Sequence, residues 1–491
     1  MRTRIISMTG VLQMSQSILM DRYKLWDRFG CDELARADGY EVIYFEDDMK
    51  LRHYYETVCQ MTPGSKRIIV ITAYGFHVPY DIERNITVVE LGFPLLFPSL
   101  DEKALLSLPG LDFDHLAFVA DRLGVQKKNM AETIRFCTKE LQEKSWAGAF
   151  AAELLQQAVE IAESATSHRA WTAVAISFSK AARFQHSGIE IAGYDDKRDR
   201  IENAFVSWIS DKYSMLSGTV DSKRPVLLSK VNDFIRKGNR KIALILMDGM
   251  SFENFFTIKQ ATIQKPLNYD IQASFSFFPT VTSVARQSVF SGKIPREHAR
   301  PFSLENEEKQ WISYWIEHGY RNGEIGFFKE EAPIIHPQLK VVGIVVNICD
   351  DLMHDELQGL SGLRQGIENW MNNGRFVEMV RKLQHDGFAV YLTADHGNTS
   401  AVAEGRFQKP GVLAEPASRR AVIYQSFADA LELANFSTTH YNGSYLPDGY
   451  TAYLFDCGKC YGDRGKEYIT HGGMTLEETV VPFVKIGEYY G

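Results

Sequence analysis

The sequence predicts an α/β protein: a mostly parallel sheet sandwiched by helices, preceded by a small α/β domain and a helical domain. Three observations carry this. From about Arg240 strand-like runs recur, each followed by a turn rich in Gly, Asp, Thr or His, with helical segments such as RFVEMVRKLQHDG between them. Strand, crossover helix, strand is the pattern of a mostly parallel sheet covered on both faces. Residues 101–235 instead carry apolar residues at helical spacing without glycine-rich turns, as in AETIRFCTKELQEKSWAGAFAAELLQQAVEIAESA. Residues 1–100 alternate helix-like and strand-like pieces.

Taken in order, the first part contains the strands YEVIYFE (40–46), KRIIVITA (66–73) and NITVVELG (85–92). The expected division is an N-terminal α/β domain over 1–100, a helical domain over 101–235 and a larger α/β domain over 236–491. In the last of these the strands are KIALILMDG (241–249), KVVGIVVNICD (340–350), FAVYLTADHG (388–397), RAVIYQS (420–426), TAYLFD (451–456) and VVPFVKIGE (480–488). In such sheets ligands sit at the carboxyl ends of the strands.

The bulk numbers bound the function. A chain of 491 residues exceeds one ordinary core. Apolar residues make up 45% and charged residues 24%, the balance of a globular protein. A net charge of −8 argues against coating nucleic acid by bulk charge. No apolar run approaches the roughly 18 residues of a membrane helix. The first twenty residues are interrupted by Gln13, Ser15, Gln16 and Ser17 where a signal peptide needs an apolar core. The expectation is a cytoplasmic protein with no membrane contact. Six scattered cysteines do not make a disulfide framework. The pair Cys457-Gly458-Lys459-Cys460 reads as a turn after TAYLF.

The chemistry-bearing residues gather after the strands. Asp248 follows ILM. The stretch FFPTVTSVARQSVFSG holds Thr280, Thr282, Ser283 and Arg286. Asp350 and His354 lie four apart in VNICDDLMH, Asp395 and His396 follow YLTA, and His471 opens HGGMTLEETVVP. Each alone is weak, since Asp-Gly is usually a turn. Together, three aspartates and three histidines at the rim of one sheet would repel without a cation among them. The absence of thiolates favours a catalytic site with two divalent metals, zinc or manganese. Two metals roughly 4 Å apart activate a nucleophile and clamp a phosphoryl group. Thr282 is the candidate nucleophile, at the start of a helix whose N-terminus favours an anion. Arg286, one turn on, is placed to reach non-bridging oxygens. Helix capping is the competing role for Thr282, and Thr280 or Ser283 would equally serve as the cap.

The order Asp-Gly, Pro-Thr-x-Thr, Asp-x-x-x-His, Ala-Asp-His-Gly, His-Gly-Gly resembles the alkaline-phosphatase superfamily, and within it the PglZ domain of phage-defence phosphatases and some bacterial response regulators. ALILMDGMSFENF, PTVTSVARQSVFSG and THGGMTLEETVVPF carry the resemblance over about 240–491; ARADGYEVIYFEDDMKLR extends it more loosely. The resemblance implies an alkaline-phosphatase-like core. It implies one metal on Asp248, Thr282, Asp395 and His396, and another on Asp350, His354 and His471, with Asp351 and Asp355 solvated. It implies a phosphodiesterase acting on oligonucleotide or cyclic nucleotide substrates through a phosphothreonine intermediate, in phage defence or signalling alongside defence-system proteins. A scaffold subunit with a phosphatase-like fold is the alternative, ahead of a phosphomonoesterase or a phosphomutase. The mutases resembled by TADHGN place Asp-Gly near the N-terminus and use serine. The linker GRFQKPGVLAEPASRRA (405–421), with Arg406, Lys409, Arg419 and Arg420, is a candidate contact for a nucleic-acid backbone.

Overall fold

The runs IALILM and VVGIVV are buried at every position, as strands covered on both faces must be. They form β5 (Ile242–Met247) and β8 (Val341–Val346) at the heart of the fold. The computed structural model describes all residues except 30, 61–66, 74, 109–110, 125, 239–240, 263–266, 330–332, 356–357, 407–417, 426–432 and 488–491. The chain forms two compact units, Met1–Phe150 and Ala151–Gly491.

In the first unit β1 (Gln16–Asp21), β2 (Tyr40–Phe45), β3 (Arg67–Ala73) and β4 (Thr87–Leu91) make a parallel sheet in the order β2-β3-β1-β4. Ile18, Ile68, Val70, Leu51 and Ile82 pack together on it. The central strand β1 was not among the expected strands. Its polar start, Gln16 and Ser17, breaks the apolar pattern, yet Ser17 is buried because β3 and β4 flank it on both edges.

In the second unit a six-stranded sheet runs β6-β16-β9-β5-β8-β7, adding β6 (Asn268–Phe275), β7 (Ile325–Phe328), β9 (Ala389–Thr393) and β16 (Val480–Gly487). β16 is antiparallel to both its neighbours, β6 and β9; the other pairings are parallel. The sheet is thus mostly parallel with helices around it. Among these, Arg375–His385 places Phe376, Val377, Val380 and Leu383 inward, at the spacing of an amphipathic helix.

The expected strands RAVIYQS and TAYLFD lie elsewhere. β11 (Ala421–Tyr424), β12 (Thr438–Tyr441) and β13 (Thr451–Phe455) form an antiparallel sheet in the order β11-β13-β12. A third sheet joins β10 (Thr399–Ala403), β14 (Lys459–Cys460) and β15 (Glu467–Thr470) in the order β14-β10-β15. Of the turn read at 457–460, Cys457 and Gly458 make a turn, with Gly458 at φ 70°, and Lys459–Cys460 are β14. Burial lifts the Cys457 thiol to about 12 and the Cys460 thiol to about 11, so both are protonated thiols. Residues 101–235 are helical, including Phe113–Leu123, Lys144–Ser164, His168–His186 and Tyr194–Lys212.

Candidate active site

β5 ends at Met247, and Asp248-Gly249 turn the chain at its carboxyl end. Gly249 has φ 69°, a conformation that penalises any side chain. A Cβ there would also lie 3.6 Å from the Asp350 backbone. Ser251 then caps the helix Phe252–Ala261 through a reciprocal pair with Asn254. Asp395 and His396 follow β9, and His471 follows β15. Asn398 ties these turns together by donating to the Gly249 carbonyl at 2.7 Å and to Asn254 Oδ1 at 2.6 Å.

Five of the seven expected ligands meet directly. The Thr282 hydroxyl lies 3.0 Å from His396 Nε2. His396 Nε2 is 3.7 Å from Asp248 Oδ1 and 3.8 Å from Asp395 Oδ2. The His396 and His471 rings stack with centroids 3.9 Å apart and planes 13° apart. His396 Nδ1 faces the Gly397 carbonyl at 2.9 Å and His471 Nδ1 faces the Thr280 carbonyl at 2.7 Å. A carbonyl only accepts, so each Nδ1 carries the proton and Nε2 is the lone-pair nitrogen of each ring. The Thr282 hydroxyl therefore donates to His396. Thr282 is the first residue of the helix Thr282–Ser291, and no side chain caps that helix. Thr280 is tied elsewhere: its hydroxyl donates to the Gly473 carbonyl and accepts from the Gly472 amide.

Asp350 and His354 sit on a helix, Ile348–Asp355, that begins after β8 rather than on the strand itself. Asp350 adds its negative charge to the field at Asp248. The side chain of His354 lies outside the described residues, and so does Lys409.

Asp248, Asp395 and His396 offer ligand atoms all within 4.8 Å of one another, and all three are buried. Asp248 Oδ1 and Asp395 Oδ2 are buried without a hydrogen-bond partner. Burial, then the charges of Asp395 and Asp350, push the Asp248 carboxyl well above the usual carboxylate range against the pull of Arg286. Burial raises Asp395 to about 6. Two buried, mutually repelling carboxylates with orphaned oxygens beside a lone-pair imidazole nitrogen fit a divalent cation. The backbone carbonyls behind each Nδ1 are the usual outer support of ligating histidines.

Arg286 reaches bidentate geometry, but with a partner the sequence did not suggest. Its Nε and Nη2 donate to Glu307 at 2.5 and 3.0 Å, and its Nη1 donates to Asp248 Oδ2 at 2.6 Å. Lys329 pairs with Glu307 from the other side at 2.7 Å. Glu307 lies 21 residues from Arg286 in an otherwise ordinary helical stretch, so no local pattern flags it. The expected nucleic-acid role of Arg420 also changes. Arg420 is buried, donates to Glu478 and to the carbonyls of Phe455, Asp456 and Lys459, and has no open face for a ligand.

The helices before the sheet support the same turns. Arg198 donates to Thr399 and Glu477 at 2.8 and 2.9 Å. Glu202 accepts from the Leu476 amide, and His186 pairs with Glu253 at 2.9 Å.

An alkaline-phosphatase-like fold with this Asp/His cluster is the class that the geometry defines. The family model for the BREX system PglZ alkaline phosphatase-like domain matches residues 226–486. The chain belongs to the PglZ family. No curated protein matches it. Among solved structures, murine ectonucleotide pyrophosphatase/phosphodiesterase 5 is similar at 13% identity and a TM-score of 0.35, over 50% of this chain and 88% of that one. Phosphonoacetate hydrolase from Sinorhizobium meliloti, in complex with phosphonoformate, is similar at 12% identity and a TM-score of 0.35, over 50% and 90%. No helix among the described residues is long and apolar enough to cross a membrane.

Proposed function

We propose that this protein is a metal-dependent phosphoesterase, acting by preference on phosphodiesters of the oligonucleotide or cyclic-nucleotide kind. One observation carries the reading. Two buried carboxylate oxygens, Asp248 Oδ1 and Asp395 Oδ2, lack partners beside an imidazole that holds the Thr282 hydroxyl. Asp248, Thr282, Asp395 and His396 would hold one divalent ion, zinc or manganese. Asp350, His354 and His471 are the proposed ligands of a second. Such ions supply Lewis-acid stabilisation of phosphoryl oxygens and acidify a bound hydroxyl.

The chain's own part is positional. Thr282 releases its hydroxyl proton to solvent, as a bound cation would promote, and Oγ1 attacks phosphorus; the bond from phosphorus to the leaving oxygen breaks, the leaving oxygen takes a proton from water, and a phosphothreonine forms. Water then cleaves the new Oγ–P bond and restores the hydroxyl. The amino end of the helix Thr282–Ser291 lies at the attacking oxygen and favours the anionic phosphoryl group. Arg286, locked between Asp248 and Glu307, acts as a positioning residue for the metal ligand.

The Arg286–Asp248 pair also favours a second reading. A guanidinium already neutralises one ligand, as it would in a scaffold subunit of a defence complex. Metal analysis, with turnover of bis-p-nitrophenyl phosphate and p-nitrophenyl phosphate in added zinc or manganese, separates the two. About two metals per chain and faster diester cleavage are expected; folded protein with neither metal nor turnover leaves the scaffold. The segments 1–100, 101–235 and 236–491, a cytoplasmic location and defence-system partners belong to the same proposal.

A further inference from the structure

Away from the metal ligands, a cavity of about 350 Å³ is lined by Arg406, Arg419, Lys466, Asp463, Tyr461 and Tyr468. Three cations and a single carboxylate line it, in a chain whose acidic residues outnumber its basic ones by 62 to 54. The arrangement is built. Arg419 lies over the Tyr468 ring at 4.3 Å and Lys466 at 4.8 Å, so one aromatic side chain orients two cations. Tyr468 is fixed in turn by its hydroxyl, which meets the Asp463 amide and carboxylate at 3.3 Å. Gly462 leaves room for it, since a Cβ there would stand 2.7 Å from the ring. Asp463 also holds Arg406 at 2.5 Å, turning that guanidinium toward the cavity.

The cavity is wired to the active site by a strand. Tyr468 belongs to β15, pairs with Ala401 of β10, and precedes His471 by three residues; Thr399 and Thr470 pair at the end of the ladder nearest the metal ligands. Three residues of strand span about 10 Å. The Arg419 amide donates to the Thr470 hydroxyl at 2.9 Å, and the Arg420 amide to the His471 carbonyl at 3.1 Å. The cation-bearing turn therefore runs alongside the His471 loop.

We propose that Arg406, Arg419 and Lys466 form a remote phosphate subsite that holds the backbone of a single-stranded oligonucleotide while a neighbouring phosphodiester occupies the metal centre. Exposed cations that track a backbone bind without reading bases, and each neutralised phosphate adds about 0.7 to the salt slope of single-strand binding. The inference rests on the phosphodiesterase reading for its purpose but not for its test. A fluorescent oligothymidylate of about eight nucleotides, long enough for one groove-sized site, is titrated against the full chain carrying Thr282→Ala, which blocks turnover. The same titration is repeated with Arg406→Ala and Lys466→Ala added, across a salt series, with thermal melting as the check on folding. The added pair is expected to weaken binding about tenfold near 50 mM salt and to lower the salt slope by about 1.4. Lys466→Glu should weaken it further. Equal affinity and slope with and without the added pair, or no binding of the oligonucleotide by the parent chain, overturns the subsite. Bis-p-nitrophenyl phosphate has no second phosphate to place. Its turnover by the otherwise unaltered chain therefore reports on the phosphodiesterase reading alone, whichever way the titration falls.

Discussion

At the scale of single residues, the site turns on where protons and charges are held. His396 donates a hydrogen bond from Nδ1 to the Gly397 carbonyl, so its Nε2 accepts from the Thr282 hydroxyl and stands 3.7 and 3.8 Å from the two orphaned carboxylate oxygens. Replacing Thr282 by alanine is expected to reduce diester turnover at least about 1,000-fold, with melting temperature retained and the cation still held by the three remaining ligands, Asp248, Asp395 and His396. Thr282→Ser should restore part of the rate, because it returns the hydroxyl but not the methyl group. Loss of metal as well would assign Thr282 to ligation more than to attack. Glu307 offers a second test. With Glu307→Gln the bidentate grip on Arg286 loses its charge, and the guanidinium pairs with Asp248 alone. Metal affinity, read by calorimetry, is expected to fall about 10- to 100-fold, the usual cost of removing an outer partner. An unchanged affinity would remove Arg286 and Glu307 from the metal centre's support.

At the scale of elements, turns matter more than strands. Gly397 sits where a Cβ would stand 1.9 Å from the Glu477 carbonyl, so the Asp395–Asn398 turn and the short helix Leu476–Thr479 are pressed backbone to backbone. Gly397→Ala must separate them, and a loss of about 3 kcal/mol in denaturant unfolding is expected; a value below about 1 kcal/mol would show that the turns yield easily. The same elements show what could be read from sequence. β5 and β8 were legible because burial on both faces leaves unbroken apolar runs, and β9 and β16 because most of their positions are buried apolar ones, with Lys485 the exposed exception in β16. β11 and β13 were legible as strands but not as members of a separate sheet, because local pattern does not encode a strand's partner. β1 was hidden by Gln16 and Ser17. In the site, Asp248, Thr282, Asp395, His396 and His471 stood next to turn signals at strand ends or a helix start. Glu307 and Arg198 lie far from the motifs in sequence, on helices whose pattern reports only packing, and so were missed.

At the scale of the whole molecule, the charge buried in the second unit couples stability to pH and metal. The folded carboxyl of Asp395 is raised to about 6, above its ordinary value near 3.8. Without metal, the unfolded chain releases this proton first as pH rises, so Asp395 takes stability away between about pH 4 and 6. With metal the ionised form is the one bound, and a proton competes with the cation. The melting temperature in zinc minus that in chelator is therefore expected to widen as pH rises through about 6. At a hundredfold excess over the dissociation constant, the gain is about 2.7 kcal/mol. A difference that stays constant from about pH 5 to 8 would place the cation away from Asp395.

The position of β16 has a consequence for how the protein is made. Val480–Gly487 is the last of the six core strands along the chain, yet it lies inside the sheet, with β6 on one edge and β9 on the other. As the chain leaves the ribosome, β6 and β9 emerge first and have no direct pairing to make with each other. Their facing edges wait, open to wrong partners, until β16 is translated and slides between them. Asp248, Thr282 and Asp395 therefore come together around one sheet only once β16 has been made. A nascent chain stalled before residue 480 carries Asp248, Thr282, Asp395 and His471 but lacks the strand that would hold β6 and β9 in one sheet.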